Sequence, residues 1–294
     1  MDPRIDAPDV ALILEGGGMR NSYTAACVVR LITEKVRFGW VGGVSAGSSH
    51  AVNFLSHDAE RARVSFQEFA TSQAAGGISS FIRGNGYFNS EYIYETSSLP
   101  GEELPLDFDA IAADPTAYRI IAFNAATGET TAWGREDVDG PAALTRRVRA
   151  SSTLPIIMPT PTVDGEPYVD GALGTSGGIP VDVAEADGFE RFLVLSTRPR
   201  EYRKPPIRYP GTARRILSRY PKVAEAAVTR HERYNASKER LLELERQGRA
   251  QLFFPDHMPV SNTDRRLDRL RASYADGEEQ TDREWEAWER FLRA

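Results

Sequence analysis

Cysteine is almost absent from this sequence. Cys27 is the one cysteine among 294 residues, so no intramolecular disulfide can form and no cysteine-based zinc cluster exists. Histidine is scarce as well: His50, His57, His231 and His257 are the four in the chain, and any histidine-dependent chemistry must use one of them. No apolar run approaches the roughly 18 residues that a membrane-spanning helix needs. The N-terminal stretch MDPRIDAPDV lacks the charged-then-apolar pattern of a signal peptide. An excess of basic residues is missing too. The formal net charge is −6, which argues against a dedicated nucleic-acid binder. The expectation is a soluble, cytoplasmic protein that does not bind nucleic acid, with peripheral contact to a membrane left open.

What is present is an ordinary globular balance, 41% hydrophobic and 27% charged, in a chain long enough to bury a sizeable core. VALILEGGG reads as a buried strand, Val10 to Leu14, running into glycines. SYTAACVVRLITEKV has helical spacing, FGWVGGV is a second short strand, and AGSSHAVNFLS a second helix. This strand–helix alternation implies an α/β fold with a mainly parallel sheet. AERARVSFQEFATSQ reads as one amphipathic helix, and AAGGISSFIRGNGYFNS as a turn-rich loop. YRIIAFNAATGETTAW predicts two strands joined at Thr127-Gly128, DVDGPAALTRRVRASSTLP a helix ended by Pro155, and PTVDGEPYVDGAL a hairpin turning at Asp164-Gly165. RFLVLST is one more buried strand, and the proline- and arginine-rich RPREYRKPPIRYPG is read as a linker or surface crossing. Beyond it come a helix AVTRHERYNASKERLLELERQ, a strand AQLFFP, and two polar helices, RRLDRLRASYADG and DREWEAWERFLRA. The expected division is residues 1–200 as the main domain and 201–294 as a mostly helical region packed on it. Cys27, Trp285 and Trp288 read as core residues, and Asp107, Asp109 and Asp114 as scattered acids without metal-ligand spacing.

Three short motifs carry chemistry. Gly43-Val44-Ser45-Ala46-Gly47 lies between a strand and a helix, the context of a nucleophile elbow, where the glycines permit close approach and the helix N-terminus favours negative charge. A serine hydroxyl still needs a base and donors for the oxyanion. Gly16, Gly17 and Gly18 form a loop between strand and helix, where unpaired backbone amides suit an anion. The loop fails G-x-G-x-x-G because Asn21 occupies the last position, and Gly43–Ser49 fails the P-loop pattern because no lysine precedes a serine or threonine. Asp170 ends a strand and precedes Gly171; it is either a base or a turn aspartate bonded to its own backbone.

In this order, the glycine loop, the G-x-S-x-G and the Asp-Gly-Ala resemble the patatin-like phospholipase family. ASSTLP, residues 150–155, resembles that family's box between serine and aspartate, and PVSNTDRRLDRLRASYADG resembles the tail of its bacterial subgroup. The resemblance implies a three-layer α/β/α fold with a helical C-terminal appendage. It implies acyl-ester or phospholipid hydrolysis by a Ser45–Asp170 dyad, an oxyanion hole from the amides of Gly16, Gly17 and Gly18, Arg20 supporting the loop, and no cofactor or metal. Asn21 stands where the family has glycine, and Glu15 where many members have aspartate. Asn21 is expected to cap the following helix and to tolerate left-handed backbone. Two rival readings are a Ser-Asp-His hydrolase using His231 or His257, and a catalytically silent regulator or scaffold on the same fold.

Overall fold

The first strand sets the layout. In the computed structural model, which describes residues 3–77, 80, 82–84 and 86–294, β1 (Ile5–Leu14) lies inside an eight-stranded sheet. It is flanked in parallel by β2 (Val36–Val44) and β7 (Arg191–Leu195). Beyond β2 comes β3 (Ala117–Asn124) and beyond β7 comes β8 (Ala250–Phe253), again parallel. Only the β3 side is antiparallel: β4 (Thr130–Trp133) and β6 (Glu166–Asp170) both pair with β3, and β5 (Thr162–Val163) forms a hairpin with β6.

The helices of the first half are α1 (Asn21–Thr33), α2 (Ala46–Leu55), α3 (Ala59–Ser65), α4 (Glu68–Thr71) and α5 (Phe108–Ala113). They are followed by α6 (Pro141–Ser152), α7 (Val181–Ala186), α8 (Pro210–Ile216), α9 (Pro221–Arg246) and α10 (Leu267–Arg293). Side chains alternate across a strand, and β1 shows which helices cover each face. Val10, Leu12 and Leu14 join a core with Val28 of α1, Val52 of α2, Val148 of α6 and Trp288 of α10. Ala11 and Ile13 join a second core with Ala184 of α7 and Leu241 and Leu244 of α9. The result is the expected α/β/α sandwich around a mainly parallel sheet, with a long C-terminal helix. Cys27, Trp285 and Trp288 are buried in it, as read.

Four local expectations change. β1 starts at Ile5, before the apolar run, because Ile5 to Ala7 pair with Val36 to Phe38 of β2. The single helix expected over 59–73 is broken: Gln67, at φ −123° and ψ −96°, separates α3 from α4. The helix expected from residue 227 starts at Pro221, with proline at the first helical position, where its missing N–H costs nothing. The two C-terminal helices are one, α10, which passes straight through Gly277. A Cβ at Gly277 would lie 2.1 Å from the Tyr23 carbonyl oxygen. That glycine is a point of close approach between α10 and α1 rather than a break. Ser22 to Ser273 and Tyr23 to Gln280 hydrogen bonds, at 2.9 and 2.7 Å, tie the same two helices. Of the loop at 74–90, Ile78, Ser79, Phe81 and Asn85 lie outside the described residues. Among the described residues no helix is long and apolar enough to cross a membrane.

Candidate active site

Strand β3 brings the two distant motifs together. Val44, the last residue of β2, lies opposite Ile121, and Asp170, the last residue of β6, lies opposite the next residue, Ala122. The other edge of Ile121 and Ala122 is taken by β4, so β6 continues along the edge of β3 that β2 leaves. The ends of β2 and β6 thus meet along one edge of β3, which brings Ser45 and Asp170 together. Ser45 Oγ donates to Asp170 Oδ2 at 2.7 Å, and the other carboxylate oxygen accepts from the Ala172 amide at 2.9 Å.

Ser45 has φ 57° and ψ −129°, a conformation that costs a residue with a Cβ on the order of 1–3 kcal/mol. The surroundings enforce it. A Cβ at Gly43 would lie 2.1 Å from the Gly47 carbonyl oxygen, and one at Gly47 would lie 2.2 Å from that of Leu14. Strand, turn and helix therefore pack at backbone distance. The Ser45 amide donates to Ser151 Oγ at 2.9 Å, and that hydroxyl donates to the Ile121 carbonyl at 2.6 Å. The backbone is clamped while the side chain faces Asp170.

Both residues are buried, Ser45 at 7% exposure and Asp170 at 4%. Burial pushes the Asp170 carboxyl above the ordinary aspartate range. Arg230, the Ser45 hydroxyl, the Ala172 amide and Lys204 pull it back. Desolvation is the largest influence, and it makes Asp170 a better base than a free aspartate.

The glycine loop lies directly against the serine: a Cβ at Gly16 would be 3.1 Å from Ser45 Cβ. Its three amides are not equivalent. The Gly16 amide donates to the Gly178 carbonyl at 3.1 Å, so it is engaged in holding the loop. Those of Gly17 and Gly18 have no acceptor among the described residues. Gly18, at φ 55°, turns the loop against Asn262, whose carbonyl accepts from the Met19 amide at 3.0 Å. Arg20 is buried and donates its amide to the Gly17 carbonyl at 3.3 Å.

Asn21 acts differently from the expectation. It is the first residue of α1 in right-handed backbone, φ −67°. Its amide nitrogen donates to the Gly18 carbonyl at 3.2 Å and its oxygen accepts from the Thr24 hydroxyl at 3.1 Å. It therefore ties the glycine loop to the helix rather than capping a backbone amide. Asn21→Gly removes both bonds and adds backbone entropy to the unfolded chain. The expected result is a loss of about 1–2 kcal/mol, read as a lower melting temperature, with kcat reduced several-fold. Unchanged melting and turnover would mean that the tie has no role.

No histidine reaches the site. His50 is enclosed with its ring nitrogen 3.1 Å from the Asn21 carbonyl, and burial lowers its pKa to about 3. His57 pairs with Asp114 at 2.8 Å, His231 bonds the Val228 carbonyl within its own helix, and His257 pairs with Asp276 on the surface. None of them lines the cavity that opens on Ser45 and Asp170. The triad reading has no third member here.

That cavity has a volume of about 140 Å³, similar to an apolar cavity of roughly 150 Å³ that accepts benzene. Its apolar wall includes Phe66, Phe69, Phe88, Leu104, Val148 and Met158. An apolar group attached to a carbonyl placed at Ser45 would find such a wall next to the serine.

Residues 12–185 match a family model described as patatin-like phospholipase. The chain belongs to the patatin-like phospholipase family. Residues 220–293 match a second model, a domain of unknown function (DUF6363). The uncharacterized protein YjjU of Escherichia coli strain K12 is 26% identical over 199 residues, 65% of this chain and 52% of YjjU. The match thus spans about half the length of that relative. The crystal structure of VipD from Legionella pneumophila is similar with a TM-score of 0.50 at 12% identity, covering 96% of this chain and 66% of VipD. At that identity the likeness concerns the fold.

The patatin-like core does not build the site alone. Asn262 and Arg230, from the C-terminal part, line the same cavity. Ser151 lies inside the quoted ASSTLP box, and its clamp on Ser45 is the local reason for a small hydroxyl there. Arg230 offers no such signal in sequence, since it sits in a run of charged helical residues.

Proposed function

We propose that this patatin-like protein is a serine acyl hydrolase that cleaves lipid-type carboxylic esters with a Ser45–Asp170 dyad. The observation that carries the proposal is the 2.7 Å hydrogen bond from Ser45 Oγ to Asp170 Oδ2, made by a serine in strained backbone that lines a cavity with an apolar wall. In the first half-reaction the Ser45 proton passes to Asp170 while Oγ attacks the ester carbon. The amides of Gly17 and Gly18 hold the resulting oxyanion, with Gly16 fixing the loop behind them and Arg20 supporting it. Collapse breaks the ester C–O bond, and Asp170 returns the proton to the leaving alcohol. Water then attacks the acyl-enzyme with Asp170 again as base. This releases the fatty acid and restores Ser45. One oxyanion donor is worth roughly 3–4 kcal/mol in a well-studied protease, so two offset a large part of the weakness of a carboxylate base.

Hydrolysis of p-nitrophenyl esters of graded chain length, run beside a phospholipid panel, tests the reading. Turnover should rise with acyl length until the apolar cavity is filled. No hydrolysis of any ester by folded protein would reject it. The base must be ionised to act, and its pKa is raised. The profile of kcat/KM should therefore fall with one proton as pH drops through a value above about 3.9, the ordinary aspartate figure. A flat profile down to pH about 4 would contradict a desolvated base.

A further inference from the structure

The cavity that holds Ser45 and Asp170 is lined by further hydroxyls, and they are of two kinds. Some are satisfied by the protein. Ser65 and Thr145 donate to the Arg61 and Ala142 carbonyls of their own helices at 2.6 and 3.3 Å, and Ser98 accepts from Arg61 Nη2 at 3.2 Å. Tyr94, Ser49 and Ser152 are different. The Tyr94 phenol approaches the Ser152 and Ser49 hydroxyls and lies near enough to Asp170 to feel its charge. The approach does not satisfy the group: Ser152 is 3% exposed, and its Oγ has no hydrogen-bond partner. Burial pushes the phenol above the ordinary tyrosine range, so it keeps its proton at neutral pH and can both donate and accept.

Three elements converge here. Ser49 lies one turn beyond Ser45 on α2, so the two share a face. Ser152 ends α6, next to the Ser151 that clamps the Ser45 amide. Tyr94 belongs to a π-helical turn, Tyr92–Thr96, closed by a 2.9 Å bond from the Ser97 amide to the Tyr92 carbonyl. Such turns are rare and recur at functional sites. Arg149 of α6 pins this one, reaching Glu95 at 2.6 Å and Glu91 at 3.3 Å. The phenol is therefore held beside the dyad by a fixed scaffold.

We propose that Tyr94, with Ser49 and Ser152, positions the water that hydrolyses the acyl-enzyme. The assignment rests on Ser45 being the nucleophile. An enclosed water takes about three polar partners, and an attacking one also needs a base within reach. Hydroxyls that donate and accept supply the partners, and Asp170 is the base. The water oxygen bonds to the acyl carbon as its proton passes to Asp170. The bond from that carbon to Oγ then breaks, Oγ takes the proton from Asp170, and the carboxylic acid leaves. Tyr94 is thus a positioning residue for the second half-reaction and has no part in the first.

Tyr94→Phe keeps the ring and removes the hydroxyl. The test follows the two half-reactions of a p-nitrophenyl ester separately on the full chain. Release of p-nitrophenol in the first turnover reports acylation, and quenched mass spectrometry of the Ser45 acyl-enzyme reports its lifetime. In Tyr94→Phe acylation should stay within about twofold of wild type while the acyl-enzyme lives at least about tenfold longer, the scale of one lost hydrogen bond. Ser152→Ala should lengthen the lifetime in the same direction by a smaller factor. It should melt no lower than wild type, because the hydroxyl it removes has no protein partner. A lower melting temperature would make that hydroxyl structural and overturn its part in the group. Equal slowing of both half-reactions in Tyr94→Phe, or an unchanged lifetime, would overturn the proposal and leave the dyad standing. So would an unchanged lifetime with kcat/KM reduced for 1-acylglycerol alone, the pattern of a site for a substrate hydroxyl. Ester turnover by wild type with no acyl group on Ser45 would instead reject the nucleophile, and the proposal with it.

Discussion

Ser45→Ala is expected to lower ester turnover by at least about ten-thousand-fold, the scale seen when a member of a protease triad is removed. Without Oγ there is no acyl-enzyme, and the amides of Gly17 and Gly18 are left with no oxyanion made by the protein's own nucleophile. The fold should survive, because the Ser151 clamp holds the backbone amide of residue 45 rather than its side chain. The strain at φ 57° gives a second readout. Ser45→Gly loses the same hydroxyl but relaxes the backbone, so it should be more stable than Ser45→Ala by about 1 kcal/mol. Thermal melts of the two inactive variants check this, and equal melting temperatures would argue against a strained elbow.

Asp170→Asn should cost about a thousand- to ten-thousand-fold in kcat, while His231→Ala and His257→Ala should stay within about twofold. The asparagine oxygen can still accept from the Ala172 amide, so the local turn is preserved. Burial raises the Asp170 pKa, so the native state binds this proton more readily than the unfolded chain does. The ionised group therefore costs stability once the pH exceeds its unfolded value. The neutral amide should leave the melting temperature at pH 7 unchanged or higher. An inactive but stable Asp170→Asn, beside two active histidine variants, is the pattern of a dyad. A histidine variant as impaired as Asp170→Asn would restore the three-residue scheme.

The sequence makes the layers legible because β1 and β7 are apolar runs between amphipathic helices, and burial periodicity survives in one dimension. It also marks Ser45 and Asp170, since G-x-S-x-G and Asp-Gly-Ala are local patterns with local reasons. What brings them to 2.7 Å is not local. It depends on β6 following β2 along one edge of β3, a register that neither motif encodes. Gly277 is misleading for a related reason. A glycine in a polar helix reads as a break until the Tyr23 carbonyl is seen against it. Equally hidden is the inequality of the glycine amides, because the partner of Gly16 is Gly178, far along the chain.

At the heart of the proposed chemistry is a nucleophilic Ser45 activated by Asp170. It is tested most directly by mass spectrometry of the folded protein after treatment with a fluorophosphonate, with the modified peptide mapped. One adduct per chain is expected, on Ser45, formed rapidly by wild type, slowly by Asp170→Asn and not by Ser45→Ala. An unlabelled wild type, or an adduct on any other residue, would contradict the account.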